Sequence, residues 1–219
     1  KLVSTSNNGC KDSTTQQVLV NPMPSTAYSI NTAAQCLTGN SFSFTNSSAI
    51  ASGTLTHLWS FGDGGTATTL NATKTYSSAG TYSVKLVSTS NNGCKDSTTQ
   101  QVVVNPMPST AYSINTAAQC LTGNSFSFTN SSAIANGTLT HLWSFGDGGT
   151  ATTLNATKIY GSAGTYSVKL VSTSNNGCMD STTQQVVVNP MPASSYSINT
   201  ATAQCLTGNS FSFTNNSAI

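Results

Sequence analysis

Three observations predict an all-β chain of tandem antiparallel β-sandwiches with about seven strands each, linked end to end. Apolar and aromatic residues alternate with polar ones in short runs, as where Tyr82, Val84 and Leu86 interleave with Ser83, Lys85 and Val87; this is the period-two pattern of a strand with one buried face. Glycine, asparagine and proline punctuate those runs at the spacing of turns between short strands. The whole pattern then repeats: Lys1-Leu2-Val3 returns as Lys85-Leu86-Val87 and again as Lys169-Leu170-Val171, so one constant shift carries each copy onto the next. That shift is too long for one turn of a solenoid, so each unit is expected to be a complete small domain.

Pro22-Met23-Pro24 opens a unit, because paired prolines hold the chain extended and cannot join a sheet interior. It recurs at Pro106 to Pro108 and Pro190 to Pro192. A short strand around Ala27 to Thr32 follows, then a loop with Cys36 and Gly39, then Ser41 to Asn46 with Phe42 and Phe44 on one face. Leu55 to Phe61 is the next strand, with Trp59 and Phe61 sharing a face, and it runs into Gly62-Asp63-Gly64, which supplies positive φ angles for a tight turn. Thr66 to Tyr76 is expected to form one or two edge strands, and Gly80 breaks the chain before the strand Thr81 to Ser90. Asn91-Asn92-Gly93 reads as a hairpin turn with both central residues left-handed, and Cys94 to Asn105 is the returning strand. The core motif Trp59, Phe61, Gly62, Asp63, Gly64 reappears as Trp143, Phe145, Gly146, Asp147, Gly148.

The expected organisation is therefore residues 1–21 as the closing hairpin of a preceding unit, 22–105 and 106–189 as two full units, and 190–219 as the opening strands of a following one. The units differ at few positions: Ser52 becomes Asn136, Thr75 Ile159, Ser77 Gly161 and Lys95 Met179, and one residue is inserted near Thr202. The expectation is a window cut from a longer array, since a lone hairpin is marginal in water.

Charge is nearly absent. Seven Lys face five Asp, with no Arg and no Glu, so the chain offers no basic surface for nucleic acid. A surface this poor in charge repels its neighbours weakly, which favours lateral self-association into a fibre. No run of about twenty apolar residues is present, so no membrane insertion is expected in this segment. With no Glu, no Arg and only His57 and His141, acid–base and phosphate chemistry lack their usual side chains; an enzyme is not expected, nor a cofactor. Asp63 and Asp147 stand alone in their turns, where calcium would want several carboxylates, and they are read as acceptors for turn amides. Six cysteines at repeating positions point to an oxidising compartment, and no Cys-x-x-Cys spacing suggests zinc.

The run Trp59-Ser60-Phe61-Gly62-Asp63-Gly64, followed by Tyr76 and by Ala79-Gly80-Thr81-Tyr82-Ser83-Val84, resembles the PKD-type repeat in both complete units. Lys74-Thr75-Tyr76 and Lys158-Ile159-Tyr160 stand where that family has His-Thr-Tyr, an outer position that leaves the fold untouched. The resemblance implies an immunoglobulin-like sandwich, found mostly outside cells as a spacer or in adhesion and carbohydrate-linked proteins. Gln35-Cys36 before the second strand and Asn92-Gly93-Cys94 after the sixth make the arrangement similar to tandem arrays in large surface adhesins of gliding bacteria, exported by the type IX route.

The topology implied by that resemblance places Cys36 and Cys94 at opposite ends of one domain, beyond disulfide reach. The pair it favours is Cys36 with Cys178, an interdomain staple, with Cys120 reaching into the next unit and Cys94 into the previous one; intradomain, intermolecular and free-thiol alternatives stay open. Asp12-Ser13-Thr14, Asp96-Ser97-Thr98 and Asp180-Ser181-Thr182 resemble the O-glycan acceptor sites of such proteins, making Ser13, Ser97 and Ser181 candidates. Asn46, Asn71, Asn130, Asn136, Asn155 and Asn215 begin N-glycan sequons. Tyr28 and Tyr112, beside the linkers, are candidates for packing between domains. The functional expectation is an extracellular, cell-surface structural array, an adhesin stalk or filament, whose partners are further copies of the repeat and surface glycans. A carbohydrate-binding array, which needs exposed aromatics, and a spacer of a secreted enzyme are the rivals.

Overall fold

A computed structural model of the chain describes residues 1–199 and 203–219, so the insertion expected near Thr202 lies outside the described residues. Among the described residues every regular element is a strand. An exposed hairpin, β1 (Leu2–Thr5) and β2 (Lys11–Thr14), comes first. Eight strands follow in residues 22–105: β3 (Tyr28–Ile30), β4 (Ala34–Cys36), β5 (Phe42–Asn46), β6 (Leu55–Ser60), β7 (Thr66–Ala67), β8 (Ala72–Lys74), β9 (Gly80–Ser90) and β10 (Lys95–Asn105). The same eight recur as β11 (Tyr112–Ile114), β12 (Ala118–Cys120), β13 (Phe126–Asn130), β14 (Leu139–Ser144), β15 (Thr150–Ala151), β16 (Ala156–Lys158), β17 (Gly164–Ser174) and β18 (Met179–Asn189). A last exposed pair, β19 (Tyr196–Ile198) and β20 (Phe213–Asn215), closes the described chain.

The chain divides into two compact units, Lys1–Val104 and Asn105–Ile219. In the first, sheet β3-β5-β8 faces sheet β4-β10-β9-β6-β7; in the second, β11-β13-β16 faces β12-β18-β17-β14-β15. Each is an immunoglobulin-like sandwich; in the second, β12 runs parallel to the end of β18, Ala118 opposite Val187 and Cys120 opposite Asn189, and in the first β4 lies beside β10, with Val103 N–H donating to Ala33 C=O as Val187 N–H does to Ala117 C=O. The segment around Cys36 is therefore not a plain loop, as its composition suggests, but a short strand. So short a run carries too little periodicity to be read from sequence.

Alternation places the core where the pattern indicates. Phe42, Phe44, Trp59, Phe61, Tyr76, Val84, Leu86, Val102 and Val104 are buried together, and their equivalents in the second unit, from Phe126 to Val188, form the second core. Phe44 lies 5.7 Å from Trp59 and 5.8 Å from Phe61 by ring centroid. Tyr28 joins this core instead of packing between domains: only 6% exposed, it meets Trp59 edge-on at 5.0 Å, and Tyr112 does the same with Trp143.

The hairpin between β9 and β10 differs from its expected geometry. Gly93 alone has positive φ (83°) and neither Asn91 nor Asn92 does. Gly93 N–H donates to Ser90 C=O and Ser90 N–H to Cys94 C=O, which describes a type I turn closed by a left-handed glycine. A third loop residue relieves both asparagines of the left-handed conformation.

Candidate functional site

Three features recur in both units and could carry function: the aspartate turn after the tryptophan strand, the polar clasps between the two sheets, and the cysteines at the two ends.

The aspartate turn is a structural lock. Phe61 N–H donates to Gly65 C=O at 3.0 Å, and Gly65 N–H donates to Asp63 Oδ1 at 3.0 Å, the side-chain acceptor role expected of a turn aspartate. Gly62 takes φ 81° while a Cβ there would sit 2.8 Å from the Ser83 carbonyl oxygen. Lys74, far from idle at an outer position, reaches back so that its Nζ lies 2.6 Å from Asp63 Oδ2 and within 5.5 Å and 5.6 Å of the Phe61 and Tyr76 ring centres. The hydrogen bond from Lys74 holds the Asp63 carboxyl below its usual range, and Lys158 does the same for Asp147. The position that departs from the family pattern is thus the counter-ion of the turn. In a unit with so few charges, the recurrence of a Lys at one fixed distance after the Asp was the available signal.

His57 Nδ1 lies 3.3 Å from Ser88 Oγ, which donates to Ser48 Oγ at 3.1 Å. Ser88 is fully buried, so this Ser–His pair is closed to a substrate, and burial lowers the imidazole pKa. His141, Ser172 and Ser132 repeat the arrangement. Among the described residues no group of three His, Cys, Asp or Glu is placed to hold a metal ion, and no helix is long and apolar enough to cross a membrane.

Two clasps that sequence did not reveal join the sheets. The Tyr28 hydroxyl donates to Val84 C=O at 2.6 Å and accepts from Gln100 N–H at 2.9 Å, while Gln100 Nε2 donates to Tyr28 C=O at 2.7 Å. Val84 and Gln100 are register partners in the β9–β10 ladder, so one hydroxyl touches both strands. Asp96 Oδ2 accepts Thr26 N–H at 2.7 Å, tying the segment after the prolines to β10. Tyr112, Gln184, Thr110 and Asp180 repeat both clasps. Near-identity of the repeats hides such residues, because they do not vary less than their neighbours.

The cysteines occupy opposite ends of each unit. Cys178 immediately precedes β18, whereas Cys120 lies beside Asn189 at its other end. The extended strand between them separates those ends by about 33–36 Å, against a Cα separation of about 4.4–6.8 Å for a disulfide. The first unit has the same arrangement, with β4 beside β10 and Val103 N–H donating to Ala33 C=O. An intradomain bridge is therefore excluded. Cys36 and Cys178 are in the disulfide state, and Cys10, Cys94, Cys120 and Cys205 carry free thiols.

Both ends are rigidly seated. Beyond Cys36 the buried Asn40 donates to Leu37 C=O and Tyr76 C=O and accepts Tyr76 N–H, and Gln35 exchanges two hydrogen bonds with Ser41. Cys178 N–H donates to Ser174 Oγ.

The candidate modification residues Ser13, Ser97 and Ser181 are all exposed. The sequons divide differently: Nδ2 of Asn46 and of Asn130, the atom an N-glycan would join, is buried. An open groove recurs between the sheets, lined in the first unit by Ser43, Thr45, Thr69 and Asn71 over the buried Phe44. It presents hydroxyls and an amide but no exposed aromatic platform.

The model of the PKD domain matches residues 20–106 and again 104–189. The PKD1 domain of the Vibrio cholerae metalloprotease PrtV is 31% identical over 38% of this chain and 98% of its own, with a TM-score of 0.34. The PKD1 domain of Vibrio anguillarum Epp is 28% identical over 40% and 99%, with a TM-score of 0.35. A titin I-band fragment, I67-I69, is 16% identical over 80% of this chain and 68% of its own, with a TM-score of 0.45. No curated protein matches the chain. With the family model matched twice and over most of the sequence, the chain belongs to the PKD domain family and carries two such domains in tandem.

Proposed function

We propose that this chain is part of an extracellular structural array, an adhesin stalk or filament at a bacterial surface, whose work is mechanical and not catalytic. The observation that carries the reading is the return, from 22–105 to 106–189, of one sandwich with the same core, clasps and strand register. A chain that copies a whole domain with its interior unchanged gains length and repetition, and the residues that differ between copies, such as Thr75 and Ile159, are exposed. Export by a type IX route is part of this proposal and rests on the resemblance of the cysteine arrangement to adhesin arrays.

The same reading assigns Cys36 and Cys178 to one another as an interdomain staple. What supports the pairing is that a bridge within a unit is geometrically closed and that these two cysteines are in the disulfide state. Along an array, the rule joins the cysteine that ends the second strand of one unit to the cysteine before the last strand of the next. Cys120 then takes a partner in the following unit and Cys94 one in the preceding unit. Ser13, Ser97 and Ser181 are proposed O-glycan acceptors, supported by their exposure. Burial of the aromatics of the central motif favours the structural role over sugar recognition.

Electron microscopy of the native material tests the proposal. Long, thin, beaded strings or bundles are expected. Compact particles, or specific retention of the chain on immobilised polysaccharide, would overturn it in favour of a spacer or a sugar-binding module.

A further inference from the structure

We infer that the disulfide carries tension past the folded cores, so that the array behaves as a tie and not as a string of unfolding springs. The inference rests on the Cys36–Cys178 pairing proposed above and on where those residues lie within each sandwich.

Cys36 ends β4, beside the end of β10 at which the chain leaves the first unit. A pull applied to the N-terminal side of that unit travels through residues 22–36 and passes from Cys36 to Cys178 through the sulfurs. It then runs along β18, Met179–Asn189, and leaves. The segment 37–177, which holds both tryptophans and nearly all of both cores, is bypassed.

The loaded segments have little slack. β18 is loaded at its two ends along its own axis, and a strand at about 3.3 Å per residue is already close to the ~3.3–3.6 Å per residue limit of the chain. Residues 22–36 are anchored at both ends of their run, by Asp96 on Thr26 N–H and by the Gln35–Ser41 exchange. Tension thus meets strands that are already extended. Each staple closes after the next has opened, since Cys120 precedes Cys178. Along an array the staples therefore interleave, and the loaded backbone reduces to stretches such as 95–119, which comprise β10, the proline linker, β11 and most of β12.

Peptide mapping of the non-reduced full chain first tests the pairing: a Cys36–Cys178 cross-linked peptide is expected, and a Cys36–Cys94 peptide would overturn both the pairing and the tie. Pulling the same chain from its two termini by optical tweezers then tests the tie by itself. In non-reducing buffer no step releasing the bypassed segment is expected. With a thiol reductant, two unfolding events should together release on the order of 500 Å of contour, given ~3.5 Å per residue. Cys36→Ser, a change at a half-exposed position, should extend like the reduced protein in either buffer. If the mapped pairing holds but the oxidised chain still shows unfolding steps at the force that unfolds the reduced one, the loaded strands peel their cores apart and the tie is refuted.

Discussion

Removing one oxygen from each unit tests the claim that a tyrosine hydroxyl joins the two sheets. Tyr28→Phe together with Tyr112→Phe keeps both rings against Trp59 and Trp143, 5.0 Å away in each unit, and deletes only the hydroxyls. Each hydroxyl makes two hydrogen bonds, to Val84 C=O and from Gln100 N–H in the first unit, and Val84 is fully buried. At a net ~1 kcal/mol per bond, with more where a buried group is left unpaired, the loss is about 2 kcal/mol per unit. Changing both units preserves their equality. Urea unfolding followed by the fluorescence of the two buried tryptophans should show a lower midpoint with an unchanged slope. A loss below about 0.5 kcal/mol per unit, under the usual net worth of even one such bond, would refute the reasoning, because Val84 and Gln100 would then have closed on one another as direct ladder partners.

Further outcomes are expected from the same geometry. Gly62→Ala, where Cβ would meet Ser83 backbone at 2.8–2.9 Å at φ 81°, should destabilise by more than ~2 kcal/mol in thermal unfolding, whereas Gly64→Ala, with open space at φ 90°, should cost about 1 kcal/mol. Lys74→Met should lower the stability of the first unit by up to about 1 kcal/mol, since the pair with Asp63 is partly open to water and screened; high salt should shrink the difference. Acid should act through Asp63 and Asp147: their folded-state pKa values are lowered, so their contribution is present above the unfolded value near 3.8 and disappears as pH falls below it. Alkali should act through Tyr76 and Tyr160, whose pKa values are raised well above 10.0 by burial and then by the neighbouring aspartate. Their contribution is complete below pH 10.0 and is lost as pH rises through the folded value, so circular dichroism should show unfolding only in strong alkali. In glycosylated native material, peptide mass spectrometry should find added sugar on Ser97 and Ser181 and none on Asn46 or Asn130.

What could be read from sequence was whatever alternation and repetition express. Phe42, Phe44, Trp59 and Phe61 announce their buried face by period two, and Gly62 and Gly64 announce a turn by composition. The locations of Cys36 and Cys94 at opposite ends followed from the implied topology. What escaped was set by tertiary distance. β4 is too short for its period to register, the longer loop made Asn91-Asn92-Gly93 a different turn, and Lys74, Gln100, Asp96 and Asn40 act on groups far away along the chain, as Gln100 does on Tyr28. Tyr28 sits beside a proline linker in sequence yet in the middle of a core in space.

The sameness of the two sandwiches also bears on how the chain finds its fold. The four differences between the full units, at 52, 75, 77 and 95 and their counterparts, all fall on exposed positions, so neither core can tell its own strands from its neighbour's. β8 fits against β5 in one unit as well as β16 fits against β13 in the other. Only proximity along the chain discriminates. Closing a loop of about 30 residues instead of about 114 favours the correct partner by roughly 1 kcal/mol, a factor of about seven. A longer array offers each strand more equivalent wrong addresses, so synthesis from one end, which lets each sandwich close before its duplicate emerges, becomes part of what makes the repeat foldable.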